Sequence, residues 1–141
     1  MKLIINTDGG ARGNPGPAGI GVVIRDENQV IIGEHKQYIG EATNNVAEYR
    51  ALVLALEEAH KVSSFEFRVS SETQLEVRMD SELIVRQMQG KYKIKEPTLK
   101  LLAADVLKLI KQFKNVTFSH VPREQNKEAD VLVNQAIDAA V

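Results

Sequence analysis

Apolar residues change their spacing several times along this chain, and each change predicts an element. Leu3-Ile4-Ile5 is a continuous apolar run, too short for a helix and suited to a strand buried on both faces. Gly19 to Arg25 (GIGVVIR) and Val30 to Ile39 (VIIGEHKQYI) are β-rich runs separated by the polar turn Asp26-Glu27-Asn28-Gln29, which predicts a hairpin and, with the first run, an antiparallel meander. Around Glu41 to Asn45 the apolar period lengthens from two to about 3.6. A helix is expected from there to about His60, capped by Thr43 or Asn44 and packing through Val46, Ala47, Ala51, Leu54, Ala55 and Leu56.

Beyond this helix, Phe65 to Val69 and Leu75 to Met79 both alternate with strand period, and the second passes through Asp80-Ser81 into a helical stretch from Glu82 to Met88. Gly90 breaks the chain. Pro97 fits the first turn of a helix that carries Leu99, Leu101, Leu102, Val106, Leu107, Leu109 and Ile110 up to Phe113. Asn115 to Val121 reads as a strand, Pro122 to Asn126 as a polar loop, and a last helix begins near Lys127. The order βββ, α, β, α, α, β, α predicts an α/β fold, a mixed sheet with helices on its faces.

Composition narrows the chemistry. With 141 residues the chain has the size of a single domain able to bury a core without disulfides or structural metals. It contains no cysteine, which excludes thiolate metal sites and cysteine nucleophiles. No stretch approaches the roughly twenty apolar residues of a membrane span, and the N-terminus turns polar too soon for a signal peptide, so a cytoplasmic protein with no membrane partner is expected. The net charge of −1 conceals an uneven distribution: Gly90 to Lys114 holds seven lysines against Glu96 and Asp105, a local +5 against −6 elsewhere. Such a block is a solvated helix face or a weak phosphate-backbone footprint.

Four acids stand at element ends. The first strand is expected to stop at Asp8, with Asp8-Gly9-Gly10 forming a turn whose glycines allow close approach of a ligand. Asp80 ends a later strand. Glu48 lies in the first turns of a helix, on the face of Ala51, Leu52 and Ala55, and Asp130 shares a face with Val133 and Ile137. Ligand sites of α/β folds lie beyond strand ends, so these acids could converge at one edge of the sheet. Like charges a few ångströms apart cannot all ionise without a cation, and oxygen-only donors point to magnesium or manganese.

The segments TDGGARGNPGPAGIG, TNNVAEYRAL, MDSE and HVPREQNKEAD, in this order over nearly the whole chain, resemble ribonuclease H of type 1. The resemblance implies an RNase H-like fold with a five-stranded mixed sheet, its first three strands antiparallel, flanked by helices. It implies an endonuclease that cuts the RNA strand of an RNA–DNA hybrid, leaving 3′-hydroxyl and 5′-phosphate ends, and working as a monomer with no obligatory protein partner. Asp8, Glu48, Asp80 and Asp130 fall on the family's catalytic acids. Two Mg²⁺ ions are implied, with Mn²⁺ as a substitute: one on Asp8 and Asp130 to activate water, the other on Asp8, Glu48 and Asp80 to stabilise the leaving oxygen.

By the same resemblance, His120 matches a histidine that assists proton transfer or product release, whereas His35 and His60 match no motif. The backbone around Gly10, Ala11 and Gly13 and the side chains of Asn14, Asn44 and Asn45 would face the hybrid's minor groove, and Thr43 a phosphate of the DNA strand. Three departures from the family pattern stand out. The segment from Val62 to Gln74 is long, the extra basic helix of some members is missing after Met88-Gln89-Gly90, and Glu82 and Leu132-Val133 replace commoner residues. Other classes with this fold are a catalytically idle nucleic-acid-binding module and a different divalent-metal nuclease; all four acids being present argues against the first, and the TDGGARGNPG loop against the second.

Overall fold

The computed structural model describes residues 1–64 and 70–141. The strand expected over Phe65 to Val69 lies outside the described residues. The elements are β1 (Lys2–Ala11), β2 (Gly16–Arg25), β3 (Ile31–Ala42), α1 (Asn44–Ser63), β4 (Gln74–Met79), α2 (Glu82–Met88), α3 (Pro97–Ile110), β5 (Asn115–His120) and α4 (Lys127–Ala140). They form one five-stranded sheet of order β3-β2-β1-β4-β5. β1 to β3 are antiparallel, and β4 runs parallel to both β1 and β5. This is the mixed sheet predicted from the order of patterns. No helix among the described residues is long and apolar enough to cross a membrane.

Each boundary has a local cause. Thr43 caps α1, its hydroxyl oxygen accepting from the Val46 N–H at 3.2 Å. Glu96 caps α3 by accepting from the Thr98 and Leu99 N–H groups, with Pro97 pre-set for the first turn. The polar turn expected over Asp26 to Gln29 joins β2 to β3, with Gln29 at a positive φ of 67°. Leu3, Ile5, Val22, Ile24, Leu75 and Val77 of the sheet meet Tyr49, Leu52 and Leu56 of α1, with α2 and α3 completing the core. α4 covers the opposite face.

Several expectations fail in informative ways. β1 does not stop at Asp8: Asp8 pairs with Gly21, Gly9 with Ile20 and Gly10 with Gly19, and the chain turns only at Arg12 to Pro15. The turn is closed by the Arg12 N–H on the Pro17 carbonyl at 2.9 Å. The Asp-Gly pair therefore sits inside a ladder. Likewise β2 begins at Gly16 and β3 runs on to Ala42. On α3, Leu101 and Leu107 are exposed and the helix buries Leu99, Ala103 and Val106 instead, a narrower stripe than its seven apolar residues implied. That helix ends at Ile110, three residues before Phe113.

The glycines of β1 and β2 explain the continued strand. A Cβ on Gly9 would lie 2.3 Å from the carbonyl carbon and oxygen of Ala47, so α1 crosses β1 backbone against backbone. On the other face, Cβ atoms on Gly19 and Gly21 would meet the Val133 and Ala129 carbonyl oxygens at 2.8 and 2.4 Å. Both helices thus rest directly on the sheet. Gly9→Ala is expected to destabilise the protein by about 3 kcal/mol, the upper end of overpacking penalties, because only backbone atoms face the added methyl. A lowered urea midpoint at unchanged m checks this; a midpoint equal to that of the parent would contradict the close crossing.

Candidate metal centre and nucleic-acid interface

The acid site forms where two strands part. β1 pairs with β4 only as far as Asn6 opposite Arg78, yet stays paired to β2 out to Ala11 opposite Ala18. Asp8 and Asp80 therefore stand on either side of the notch that opens at the end of β4. The backbone contact at Gly9 brings the second turn of α1, and with it Glu48, against Asp8. Asp8, Glu48 and Asp80 each offer a carboxylate oxygen within 4.8 Å of the others. Asp130, on α4, lies within hydrogen-bonding reach of Asp8. The cleft encloses about 530 Å³, with all four acids on its wall.

Burial divides the acids into pairs. Asp8 and Glu48 are buried, whereas Asp80 and Asp130 are half-buried; Asp130 is therefore less enclosed than its helical face with Val133 and Ile137 implied. Burial, followed by the nearby charges of Asp80 and Asp130, pushes the Asp8 carboxyl up to about 8. Burial and the charges of Asp8 and Asp80 push Glu48 well above the ordinary carboxylate range, opposed only by the Gly9 N–H that its carboxylate accepts. The Glu48 Oε2 atom is buried with no hydrogen-bond partner. A buried, unpartnered carboxyl oxygen beside two more acids fits an oxygen-seeking divalent cation.

The remaining predicted residues do not all join the acids. Gly10, Ala11 and Asn44 share the wall of the acid cleft. The Asn44 Oδ1 accepts from the Ala11 N–H at 2.8 Å, and the Asn14 Oδ1 accepts from the Asn44 N–H at 2.9 Å, so the end of β1, the turn after it and the start of α1 are cross-braced. Asn14, Thr43 and Asn45 line a separate cavity of about 380 Å³ between the N-termini of α1 and α3. Gly13, with φ of 90°, lies in the turn between β1 and β2 and on neither wall. His120 ends β5 opposite Met79 and is not on the wall of the acid cleft; its Nδ1 stands 3.7 Å from the Glu82 Oε2.

Three cleft residues escaped the sequence reading. Arg12 lines the cleft and bridges to α4, reaching the Asp138 Oδ1 at 2.7 Å and the Asn134 Oδ1 at 3.2 Å. Asn134 follows Asp130 by one helical turn, and that spacing was a usable signal. Arg123 sits in a short 3-10 turn, Arg123–Gln125, where no periodicity announces which way a side chain faces.

Known proteins share this fold. A family model described as reverse transcriptase-like matches residues 6–136. The crystal structure of LC11-RNase H1 in complex with an RNA/DNA hybrid is 56% identical, covers 98% of each chain and superposes with a TM-score of 0.91. The chain belongs to the type 1 ribonuclease H family. Ribonuclease HI of Halobacterium salinarum is 40% identical over 94% of this chain and 63% of its own length. The bifunctional protein Rv2228c of Mycobacterium tuberculosis is 45% identical over 99% of this chain, which spans only 36% of that longer protein. Among the described residues no extra basic helix follows α2, as expected: a turn containing Gly90 at φ 77° joins α2 to the loop before α3. All seven lysines from Lys91 to Lys114 are exposed.

The raised Asp8 carboxyl has a measurable consequence. Below the unfolded value near 4 both states are protonated and this contribution to stability is intact; as pH rises through about 8 the folded protein loses it. In chelator, Asp8→Asn should therefore be more stable than the parent, the gap widening by more than about 1.4 kcal/mol between pH 5 and pH 9. Adding a divalent cation at pH 7 should reverse the order, since only the parent keeps the full donor set. Urea midpoints across the pH range check both arms, and a pH-independent gap would show that Asp8 titrates normally.

Proposed function

We propose that residues 1–141 act as a single catalytic domain, an endonuclease that hydrolyses the RNA strand of RNA–DNA hybrids and leaves 3′-hydroxyl and 5′-phosphate ends. The observation that carries this reading is the unpartnered Glu48 Oε2, buried beside Asp8 and Asp80 at the end of an open cleft. An idle binding module would gain nothing from carboxylates whose mutual repulsion works against folding. The LC11-RNase H1 complex with a hybrid supports the substrate class.

Asp8, Glu48, Asp80 and Asp130 are the residues that would hold two Mg²⁺ ions, with Mn²⁺ able to replace them. Bound there, the ions would supply the positive charge that an in-line displacement at phosphorus needs on the attacking and leaving oxygens. The chain's own residues do the rest. Gly10 and Ala11 give the ribose of the RNA strand a surface with little side chain, and Asn44, braced by Asn14, keeps its amide N–H₂ free as a donor to that strand. Thr43 caps α1 through its oxygen and retains its hydroxyl proton for a phosphate of the DNA strand, beside Asn45. His120, exposed at the end of β5 with Glu82 beside it, would assist proton transfer or product release. The enzyme would work as a cytoplasmic monomer with no obligatory partner.

Incubation of the full chain with end-labelled hybrid in magnesium is expected to shorten only the RNA strand, with no cleavage in chelator and negligible attack on duplex DNA. Asp8→Asn should reduce the rate by about a thousandfold, the upper range for losing one preorganised electrostatic group, while hybrid binding survives. Undiminished cleavage in chelator would refute the metal-dependent mechanism.

A further inference from the structure

Asn126 stands at the start of α4 with φ −123° and ψ 20°, and its side chain makes no capping hydrogen bond. Asparagine is among the preferred capping residues, yet both ends of this amide turn towards β1. Its Nδ2 donates to the Thr7 carbonyl at 2.9 Å, and its Oδ1 accepts from the Asn6 Nδ2 at 3.1 Å. Asn6 Nδ2 also donates to the Gln125 carbonyl at 3.3 Å. Asn126 is 1% exposed, so water does not compete for these bonds. Its own backbone carbonyl accepts from the Asp130 N–H at 3.1 Å. A short hydrogen-bonded path thus runs from the residue preceding Asp8 to the backbone of Asp130.

We propose that Asn126 is a positioning residue of the acid cleft: it fixes the spacing of Asp8 and Asp130 and thereby sets the affinity of that pair for a divalent cation. The proposal rests on the reading that these carboxylates share an ion. The contacts of α4 with Gly19 and Gly21 set the height of the helix above the sheet, but surfaces in contact resist approach more than sliding. Directional hydrogen bonds resist sliding. Asn126 supplies them one helical turn before Asp130, against the repulsion that would otherwise drive the two carboxylates apart. Groups that orient metal ligands in this way typically alter metal affinity by about 10–100-fold when removed.

The test is isothermal titration of the full chain with magnesium chloride, without hybrid. Asn126→Ala is expected to bind at least about tenfold more weakly than the parent. Leu56→Ala, a core substitution on α1, is destabilised but should bind within about twofold of the parent, because it leaves the tie intact. With hybrid present, the magnesium concentration giving half-maximal cleavage should rise in Asn126→Ala by the same factor, while KM for hybrid at saturating magnesium stays unchanged. Should Asn126→Ala not fold, Asn6→Ala removes one of the two bonds and should bind about threefold more weakly. Unaltered magnesium affinity in whichever variant folds, or equal weakening in Leu56→Ala, overturns the tie alone. A parent chain that binds no magnesium overturns the underlying reading and the tie with it.

Discussion

Like charge held out of water is the constraint around which this molecule is built. Asp8 and Glu48 are buried, with Asp80 in reach of both and Asp130 in reach of Asp8. At an effective dielectric of about 20, two unit charges about 4 Å apart repel by about 4 kcal/mol. The surrounding structure restrains that repulsion from several directions. The α1 crossing at Gly9 presses Glu48 inward, the Gly9 N–H gives its carboxylate one donor, and the hydrogen bonds of Asn126 hold the start of α4 against β1. The half-exposure of Asp80 and Asp130 leaves two of the four acids in contact with solvent.

Most of the architecture was legible because it follows from hydrophobic period. The switch near Thr43, the strand ending at Met79 and the proline at Pro97 each have a local physical cause that the structure repeats. The extent of β1 was not legible. Asp8-Gly9-Gly10 has the composition of a turn, and only the tertiary crossing by α1 makes glycine the residue required inside that strand. The same limit hid the outward Leu101 and Leu107, since an apolar helix does not declare how wide a stripe its neighbours will cover. At the site, residues on helices were placed by spacing, whereas Arg12 and Arg123 sit in turns where spacing carries no direction. Asn126 was hidden differently: its sequence position suits a cap, and only the fold shows that its amide faces another element.

The proposed substrate surface has a matching division of labour. Asn44 and Asn14 each use their carbonyl oxygen on a neighbouring backbone N–H, so the loop after β1 is tied to the start of α1. The exposed lysines between α2 and β5 are set apart from the acids, on the loop before α3, along α3 and in the turn after it. A polyanion approaching this protein therefore meets positive charge and carboxylates at different places.

The three glycine contacts carry a consequence for how such a site can change over time. Where side chains separate two elements, any substitution of different volume shifts the spacing between them. Here α1 meets β1 at Gly9, and α4 meets β2 at Gly19 and Gly21, with no side chain of the strand between. The separations are set by the radii of main-chain atoms. Core residues farther along α1, such as Leu52, Leu56 and Ala59, can accordingly be exchanged for others of similar size while the carboxylates keep their places. Sequence drift in the hydrophobic interior and conservation of distances at the cleft become compatible, with three positions that lack a Cβ acting as fixed stops.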